Sequence, residues 1–250
     1  MKKLGELKDK PKLCLTTNGV LLEEKLEGLL EAGLTDINVS LDTRDPETFK
    51  TITGSDALDS VERSIARALD MKMRIKINSV LLRGVNDNEA DKLAGMAKEL
   101  PVDVRFIELM PIGCAGAFRG ISREELLTEL IKAYGSYEEI PDEPGVLRGP
   151  AEYVRFKGFK GRVGFISPLS HTFCESCNRV RLTADGKLKL CLFYPDGPAL
   201  LPLLRNGCSD DELREAILQA IKRKPQRHAF GKPDAPEKAK EERNMNQIGG

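Results

Sequence analysis

The sequence predicts an α/β protein built on parallel strands, an open sheet or part of a (β/α) barrel, with a smaller β-rich second half. Three observations predict it. Short apolar runs alternate with amphipathic helical runs from Leu13 to Leu109, and every crossover is long enough to return a strand in parallel with right-handed connection. After Pro111 the alternation stops at a glycine-rich stretch, Gly113–Gly120. Short runs with turn signals then follow and end in a cysteine-bearing hairpin, Phe173–Phe193.

Taken in order, Leu13–Thr17 is a strand that stops at Asn18-Gly19, and Leu22–Ala32 is an amphipathic helix closed by Gly33. Asp36–Leu41 is the next strand, followed by a short helix from Pro46 and a longer one over Leu58–Met71. Arg74–Leu82, a helical block over Asn88–Leu100, and the strand Asp103–Leu109 complete the alternation. In the second half Ser122 caps a helix through Ala133, and Pro141–Pro150 reads as a linker. Strands at Glu152–Phe156 and Arg162–Ile166 belong to a β-rich cap over the strand ends, and Ser209 caps a helix to Lys222. The charged, proline-containing segment Lys222–Arg243 reads as a solvated connector.

Lys+Arg and Asp+Glu are equal at 39 each in 250 residues, so no global basic field points to nucleic acid or to a membrane. Six cysteines in a chain this long do not make a disulfide framework, and their clustering points to metal in a reducing compartment. The opening MKKLGELKDKPK lacks the apolar run of a secretory signal, which leads to a cytoplasmic expectation. No P-loop, dinucleotide fingerprint or nucleophile elbow occurs, and His171 and His228 are the only histidines. No catalytic side chain is therefore assigned.

Polar residues stand at the strand ends, where sites of such folds lie. They are Thr16, Thr17 and Asn18 on the first strand, Ser40 and Asp42 on the second, and Glu108 with Met110 on the fourth. Thr17, Asn18 and Asp42 are also the residue types that simply cap turns. Lys76 and Asn78 lie inside the third strand, with Ile75 and Ile77 on the other face, and Arg105 repeats the pattern in the fourth. Two cations on one face suit a polyanionic ligand.

Phe173–Phe193 carries Cys174-x-x-Cys177, then Arg179 and Arg181, an Asp185-Gly186 hairpin signal for a type I′ turn, and Cys191 on the returning strand. That arrangement predicts three thiolates around one point beside two guanidinium groups suited to phosphate or carboxylate. A zinc site completed by His171 or Cys208, a redox pair, and an iron–sulfur cluster with one open iron all remain compatible with the spacing. Cys14, Cys114 and Cys208 read as small apolar filler or surface.

Taken together, LTTNG at Leu15–Gly19, INVSLD at Ile37–Asp42, KINSVLLRGVND at Lys76–Asp87, RFIELMPIG at Arg105–Gly113, the cysteine hairpin and the closing MNQIGG resemble one family. It is the GTP 3′,8-cyclase family of molybdenum cofactor biosynthesis, radical S-adenosylmethionine enzymes. The resemblance implies an incomplete (β/α) barrel over residues 1–135 that lacks its first strands. Over residues 136–250 it implies a β-rich C-terminal iron–sulfur domain with a Gly-Gly tail. It implies a [4Fe–4S] cluster on Cys174, Cys177 and Cys191 whose open iron holds the guanine of GTP. Arg179, Val180, Arg181, Thr16 and Lys76 fall on GTP-binding positions, Ser40 and Met110 on S-adenosylmethionine-binding positions, and Gly249 and Gly250 on a tail that reaches the active site. In the family reaction a 5′-deoxyadenosyl radical takes hydrogen from C3′ of GTP, and the ribose radical attacks C8 of the guanine.

The family's C-x-x-x-C-x-x-C motif and its Gly-Gly-Glu-Pro-like segment are not in this sequence. The expectation is a fragment of a longer enzyme, inactive alone, with S-adenosylmethionine and its own [4Fe–4S] cluster serving the full-length form. Missing strands would leave Leu13–Thr17 as an unpaired edge, which invites association, and a homodimer is one arrangement this allows. An electron donor and the next enzyme of the pathway are the expected partners, with no nucleic acid and no membrane. Two other readings compete: a zinc-stabilised module that catalyses nothing, and another radical enzyme with an auxiliary cluster, such as a peptide-modifying one.

Overall fold

Every second residue of the predicted strands is apolar, and Ile37, Val39, Ile75, Ile77, Val104 and Phe106 are all buried. They line one face of a seven-stranded sheet in a computed structural model that describes residues 1–9, 11–141, 149–230, 241 and 243–248. A short helix α1 (Lys2–Gly5) precedes β1 (Leu13–Thr17), α2 (Leu22–Glu31), β2 (Leu34–Ser40), α3 (Pro46–Thr53) and α4 (Leu58–Asp70). Then come β3 (Arg74–Ser79), α5 (Ala90–Glu99), β4 (Asp103–Ile107) and α6 (Arg123–Tyr134). Strands β5 (Tyr137–Ile140), β6 (Glu152–Phe156) and β7 (Arg162–Ile166) complete the sheet, whose order is β1-β2-β3-β4-β7-β6-β5. Strands β1 to β4 and β7 are parallel, while β5 and β6 pair antiparallel. The fold is thus α/β with a mostly parallel sheet.

The chain forms two compact units, one of Met1–Leu109 with Arg119–Ser170, the other of Met110–Phe118 with His171–Gly250. In the first, helices cover the apolar face of the sheet. Leu58, Val61, Ile65 and Ala68 recur along one stripe of α4, and with Leu22 and Leu26 of α2 and Leu93, Ala94 and Ala97 of α5 they join the strand residues in one core. Asp45 caps α3 by accepting from Thr48 N at 2.8 Å, and Ser122 forms a capping box with Glu125 at the start of α6. In the second unit β8 (Arg181–Leu182) and β9 (Leu188–Lys189) pair antiparallel, followed by α7 (Leu201–Arg205) and α8 (Asp210–Lys222). Its small core joins Leu188 and Leu200 to Ala220, with Leu213 and Ile217 packed against them.

Three expectations are corrected. Strands Glu152–Phe156 and Arg162–Ile166 have the predicted bounds, yet they extend the main sheet, because β7 pairs in parallel with β4. The Asp185-Gly186 turn is not type I′, since Gly186 takes φ 76° while Asp185 stays out of the left-handed region. Instead Gly186 N donates to Thr183 O, and Thr183 N donates to Lys187 O, so Gly186 alone absorbs the positive φ. The connector 222–243 lies partly outside the described residues. Where it is described, Lys224, Glu241 and Arg243 make specific contacts rather than being solvated. The linker 142–148 also lies outside the described residues.

Phe156 packs its ring 5.4 Å from that of Phe159, 5.8 Å from Tyr137 and 5.9 Å from Tyr134. Phe156→Ala should lower the unfolding free energy by about 3–5 kcal/mol through lost burial and the cavity left behind. Denaturant-induced unfolding checks this, and a loss below about 1 kcal/mol would show that β5 and β6 are not part of the cooperative core.

Candidate functional site

The polar face of the first unit's sheet is set by register. Parallel pairing puts Thr16, Asn38, Lys76, Asp103 and Arg162 in one row across five strands. Ser40, Asn78, Arg105, Gly164 and Tyr153 form the next row. Residues opposite one another across a sheet share a face, so all ten stand away from the helices. Arg105 donates through Nε to Asn78 Oδ1 and through Nη2 to Asn38 Oδ1, both at 2.8 Å, and Asn38 Nδ2 donates to Thr16 Oγ1 at 3.2 Å. These two acceptors are neutral amides, and Arg105 also hydrogen-bonds the Tyr153 side chain. The guanidinium is therefore aimed without being neutralised, and no carboxylate pairs with it among the described residues.

Lys76 donates to Asp36 Oδ1 at 3.3 Å, and the buried Asp36 also meets Lys12 at 3.0 Å. Burial pushes the Lys76 ammonium down, the Arg105 charge adds to that, and Asp36 opposes it. Burial would raise the Asp36 carboxyl, yet its hydrogen bonds with Lys12 and Thr35 and the nearby Lys76 charge hold it below its ordinary value. At Gly164 an added Cβ would fall 2.8 Å from Tyr153 Cε1 and 3.1 Å from Arg105 Cγ, so the missing side chain is what lets those two approach. Arg162 grips Asp103 with two bonds, at 2.9 and 2.7 Å, and stacks 4.3 Å over the Tyr153 ring.

The turn-capping reading holds for Thr17 and Asn18 but not for Asp42, whose carboxylate bonds the chain just after β3. Thr17 Oγ1 accepts from Gly19 N, Asn18 Oδ1 from Val20 N, and Asp42 Oδ1 from Val80 N at 2.7 Å. Burial pushes the Asp42 carboxyl up against that bond. Ser40 is exposed at the end of β2. Met110 falls in the second unit, where its carbonyl accepts from Ile112 N. Gly249 and Gly250 lie outside the described residues.

In the second unit Cys174–Ser176 forms a 3₁₀ turn, and Cys177 N donates to Cys174 O at 3.2 Å. The C-x-x-C pair thus occupies one turn. Beyond it β8 and β9 pair only Arg181 with Lys189 and Leu182 with Leu188. The returning chain brings Cys191 back, and both the Cys177 and Cys191 sulfurs act on the Arg181 charge. Among the described residues no three His, Cys, Asp or Glu side chains gather as a single ion requires.

Three cations surround these sulfurs. Arg179 Nη2 lies 3.8 Å from Cys177 Sγ, and its guanidinium stacks 4.6 Å over Phe173. Lys224 Nζ donates to Cys177 O at 2.7 Å and Arg179 O at 2.8 Å, and lies 3.5 Å from Cys177 Sγ. Burial would raise the Cys177 thiol, but the Arg179 backbone N–H and guanidinium, with Lys224, hold it below its ordinary value. The Arg181 side chain is half-buried and has no hydrogen-bond or ion-pair partner among the described residues. Burial and the Arg179 charge push its pKa down, against the two sulfurs. Val180, between the two arginines, is 43% exposed.

Sequence reasoning missed Lys224 and Lys189. The fully buried Lys189 pairs with Glu241 and donates to Tyr194 O at 2.6 Å, while Arg243 bridges Glu241 to Asp196. A lysine between two leucines in a strand that bears Cys191 was the available signal. No described helix is long and apolar enough to cross a membrane.

The Radical SAM superfamily profile matches residues 1–97, and the profile described as Molybdenum Cofactor Synthesis C matches residues 102–230. A GTP 3′,8-cyclase of Clostridium perfringens (strain 13 / Type A) is 43% identical over 252 residues, covering all of this chain and 76% of the relative. One from Desulforamulus reducens is 41% identical over 95% of this chain and 72% of its own. A mitochondrial GTP 3′,8-cyclase of Arabidopsis thaliana is 37% identical over 99% of this chain and 63% of its own length. The mostly parallel α/β sheet and the first profile define a radical S-adenosylmethionine protein. Within that class, the chain belongs to the GTP 3′,8-cyclase family.

The ion network allows a pH test. Hydrogen bonding to Arg243, opposed by burial and helped by Lys189, holds the Glu241 carboxyl at about 2. A depressed carboxyl stabilises the fold above its unfolded pKa, and that stabilisation is lost as pH falls through the folded value. Glu241→Gln should be less stable than the parent by on the order of 2 kcal/mol at neutral pH, with the gap closing toward about pH 2. Equilibrium unfolding across that range checks it. A gap independent of pH would remove Glu241 ionisation as the cause.

Proposed function

We propose that this chain carries the nucleotide-binding share of a radical S-adenosylmethionine GTP 3′,8-cyclase in molybdenum cofactor biosynthesis. The observation that carries the reading is the Arg181 guanidinium, half-buried beside the Cys177 and Cys191 sulfurs with no partner among the described residues. A purely structural metal needs no such cation, whereas an anionic ligand next to the metal does. We assign Cys174, Cys177 and Cys191 to one [4Fe–4S] cluster. The donor set fits: three cysteines on separate irons of a cube need not meet at one point, while a tetrahedral zinc needs four ligands on one centre. When bound, the cluster supplies an open iron for the guanine, and S-adenosylmethionine with its own cluster supplies the hydrogen-abstracting radical.

The chain's own residues then bind and orient. Arg181 supplies a fork for the nucleotide, Arg179 braces Cys177, and Val180 between them offers an apolar contact. By the family's pattern Thr16 and Lys76 are assigned to GTP, and Ser40 and Met110 to S-adenosylmethionine. Gly249 and Gly250 are assigned to the tail. The polar rows of the sheet are read as the interior of an incomplete barrel, in which the unneutralised Arg105 favours a polyanion. The expected boundary at 135/136 gives way to the compact units: Met1–Leu109 with Arg119–Ser170 are assigned to that barrel, and Met110–Phe118 with His171–Gly250 to the cluster domain. The motif for the S-adenosylmethionine cluster is not among these 250 residues, so the chain is inferred to need it from a longer form. An electron donor, the next pathway enzyme and a second copy of the chain are the partners that follow.

Two measurements test this. Anaerobically reconstituted chain should hold about four irons, lost in Cys174→Ala, with a spectrum that shifts on adding GTP. About one zinc and no iron would overturn the cluster. On the loaded chain, Arg181→Ala should weaken GTP by roughly 1.5–3 kcal/mol, on the order of 10- to 100-fold. Unchanged affinity would remove Arg181 from the nucleotide site.

A further inference from the structure

Lys224 stands just past the C-terminus of α8, where its N–H still donates to Ile221 O at 3.0 Å. Its ammonium turns back to the cysteine arm. An ammonium has three donors, and two of them meet Cys177 O and Arg179 O at 2.7 and 2.8 Å while Cys177 Sγ lies at 3.5 Å. The residue is half-buried, and among the described residues no carboxylate pairs with it. A lysine kept for solubility would extend to water. This one fixes the backbone from Cys177 to Arg179 and presents its charge to a single sulfur.

We propose that Lys224 is a positioning residue for the iron–sulfur cluster, setting the orientation of the Cys177 ligand and raising the cluster's reduction potential. The inference rests on the proposed assignment of Cys174, Cys177 and Cys191 to that cluster. Hydrogen bonds and positive charge at a ligating sulfur favour the reduced, more negative cluster, and partners one step behind the ligands set how firmly the metal is held. The two bonds to carbonyls serve position, and the approach to Sγ serves potential. Arg179 also reaches Cys177 Sγ, at 3.8 Å, but the bonds to Cys177 O and Arg179 O come from Lys224.

The test uses the full 250-residue chain, reconstituted anaerobically, as parent, Lys224→Met and Lys224→Arg. Iron content, midpoint potential from a spectroscopically followed redox titration, and the rate of iron loss to a chelator are read on each. Lys224→Met should keep its far-ultraviolet dichroism, show a lower midpoint potential and lose iron faster, on the order of 10-fold. Lys224→Arg retains the charge and should bring the potential back toward the parent's. Should Lys224→Met fail to fold, Lys224→Gln keeps a donor without the charge and should show the same lowered potential. A folded, neutral variant with the parent's potential and chelator resistance overturns the inference while leaving the cluster in place. A parent that takes up no iron overturns the cluster reading itself, and this inference with it.

Discussion

The two-residue alternation of β3 and β4 is the constraint on which the first unit depends. Ile75 and Ile77 of β3, and Val104 and Phe106 of β4, must face the helices, and that fixes Lys76, Asn78 and Arg105 on the other side. A one-residue slip would bury two cations among leucines and valines. The core therefore enforces the electrostatics of the polar face as a by-product of its own packing. Because Arg105 is aimed by the neutral side chains of Asn38 and Asn78, the face stays positive there, while Asp36 tempers Lys76. Geometry and charge are thus controlled by different residues: the amides orient Arg105, and the buried carboxylate of Asp36 sets how much positive charge is left on Lys76.

The second unit has little apolar burial to work with, since its core is little more than Leu188, Leu200 and Ala220 with their half-buried neighbours. It relies instead on polar links. Buried Lys189 is one: it ties the strand before Cys191 to Tyr194, Asp196 and Glu241. Removing one member of such a buried ionic group leaves its partners uncompensated, which costs more than the intact group contributes. A hairpin with only two paired residues per strand would otherwise have little to hold its register. Asn244 adds another link, accepting from Cys114 N at 3.0 Å, and the bare Gly113 lets it close in.

Much of the fold was legible because it depends on local signals. The bounds of β1, β6 and β7 agree with their apolar runs, and the serine caps of α6 and α8 are capping boxes as their sequences imply. What escaped depends on pairing between distant segments. Nothing within Arg162–Ile166 reveals that its partner is β4, since apolar runs of that length suit either a cap or a sheet. The hairpin signal at Asp185-Gly186 was right about a turn and wrong about its type, because Thr183 supplies side-chain bonds that a two-residue loop would lack. The placement of Lys76 and Arg105 on the polar face could be read from the alternation. Lys224, Glu241 and Arg243 could not, as they stand in a stretch whose composition resembles solvated chain while their partners lie some fifty residues away.

Around the cysteines the three cations divide the work, and the division follows from what each is already bound to. Arg179 has committed its plane to the Phe173 ring and one edge to Cys177 Sγ. Lys224 has committed two donors to carbonyls, and its remaining reach ends at the same sulfur. Both charges therefore act inward, on the thiol they help to lower. Of the three, only the Arg181 side chain has no bond to give up among the described residues, and its guanidinium is the one that burial and a neighbouring arginine strain against staying charged. An incoming anion would relieve that strain without displacing any bond in the structure. A group placed this way meets its ligand without first breaking a protein contact, which is the sense in which this hairpin is preorganised.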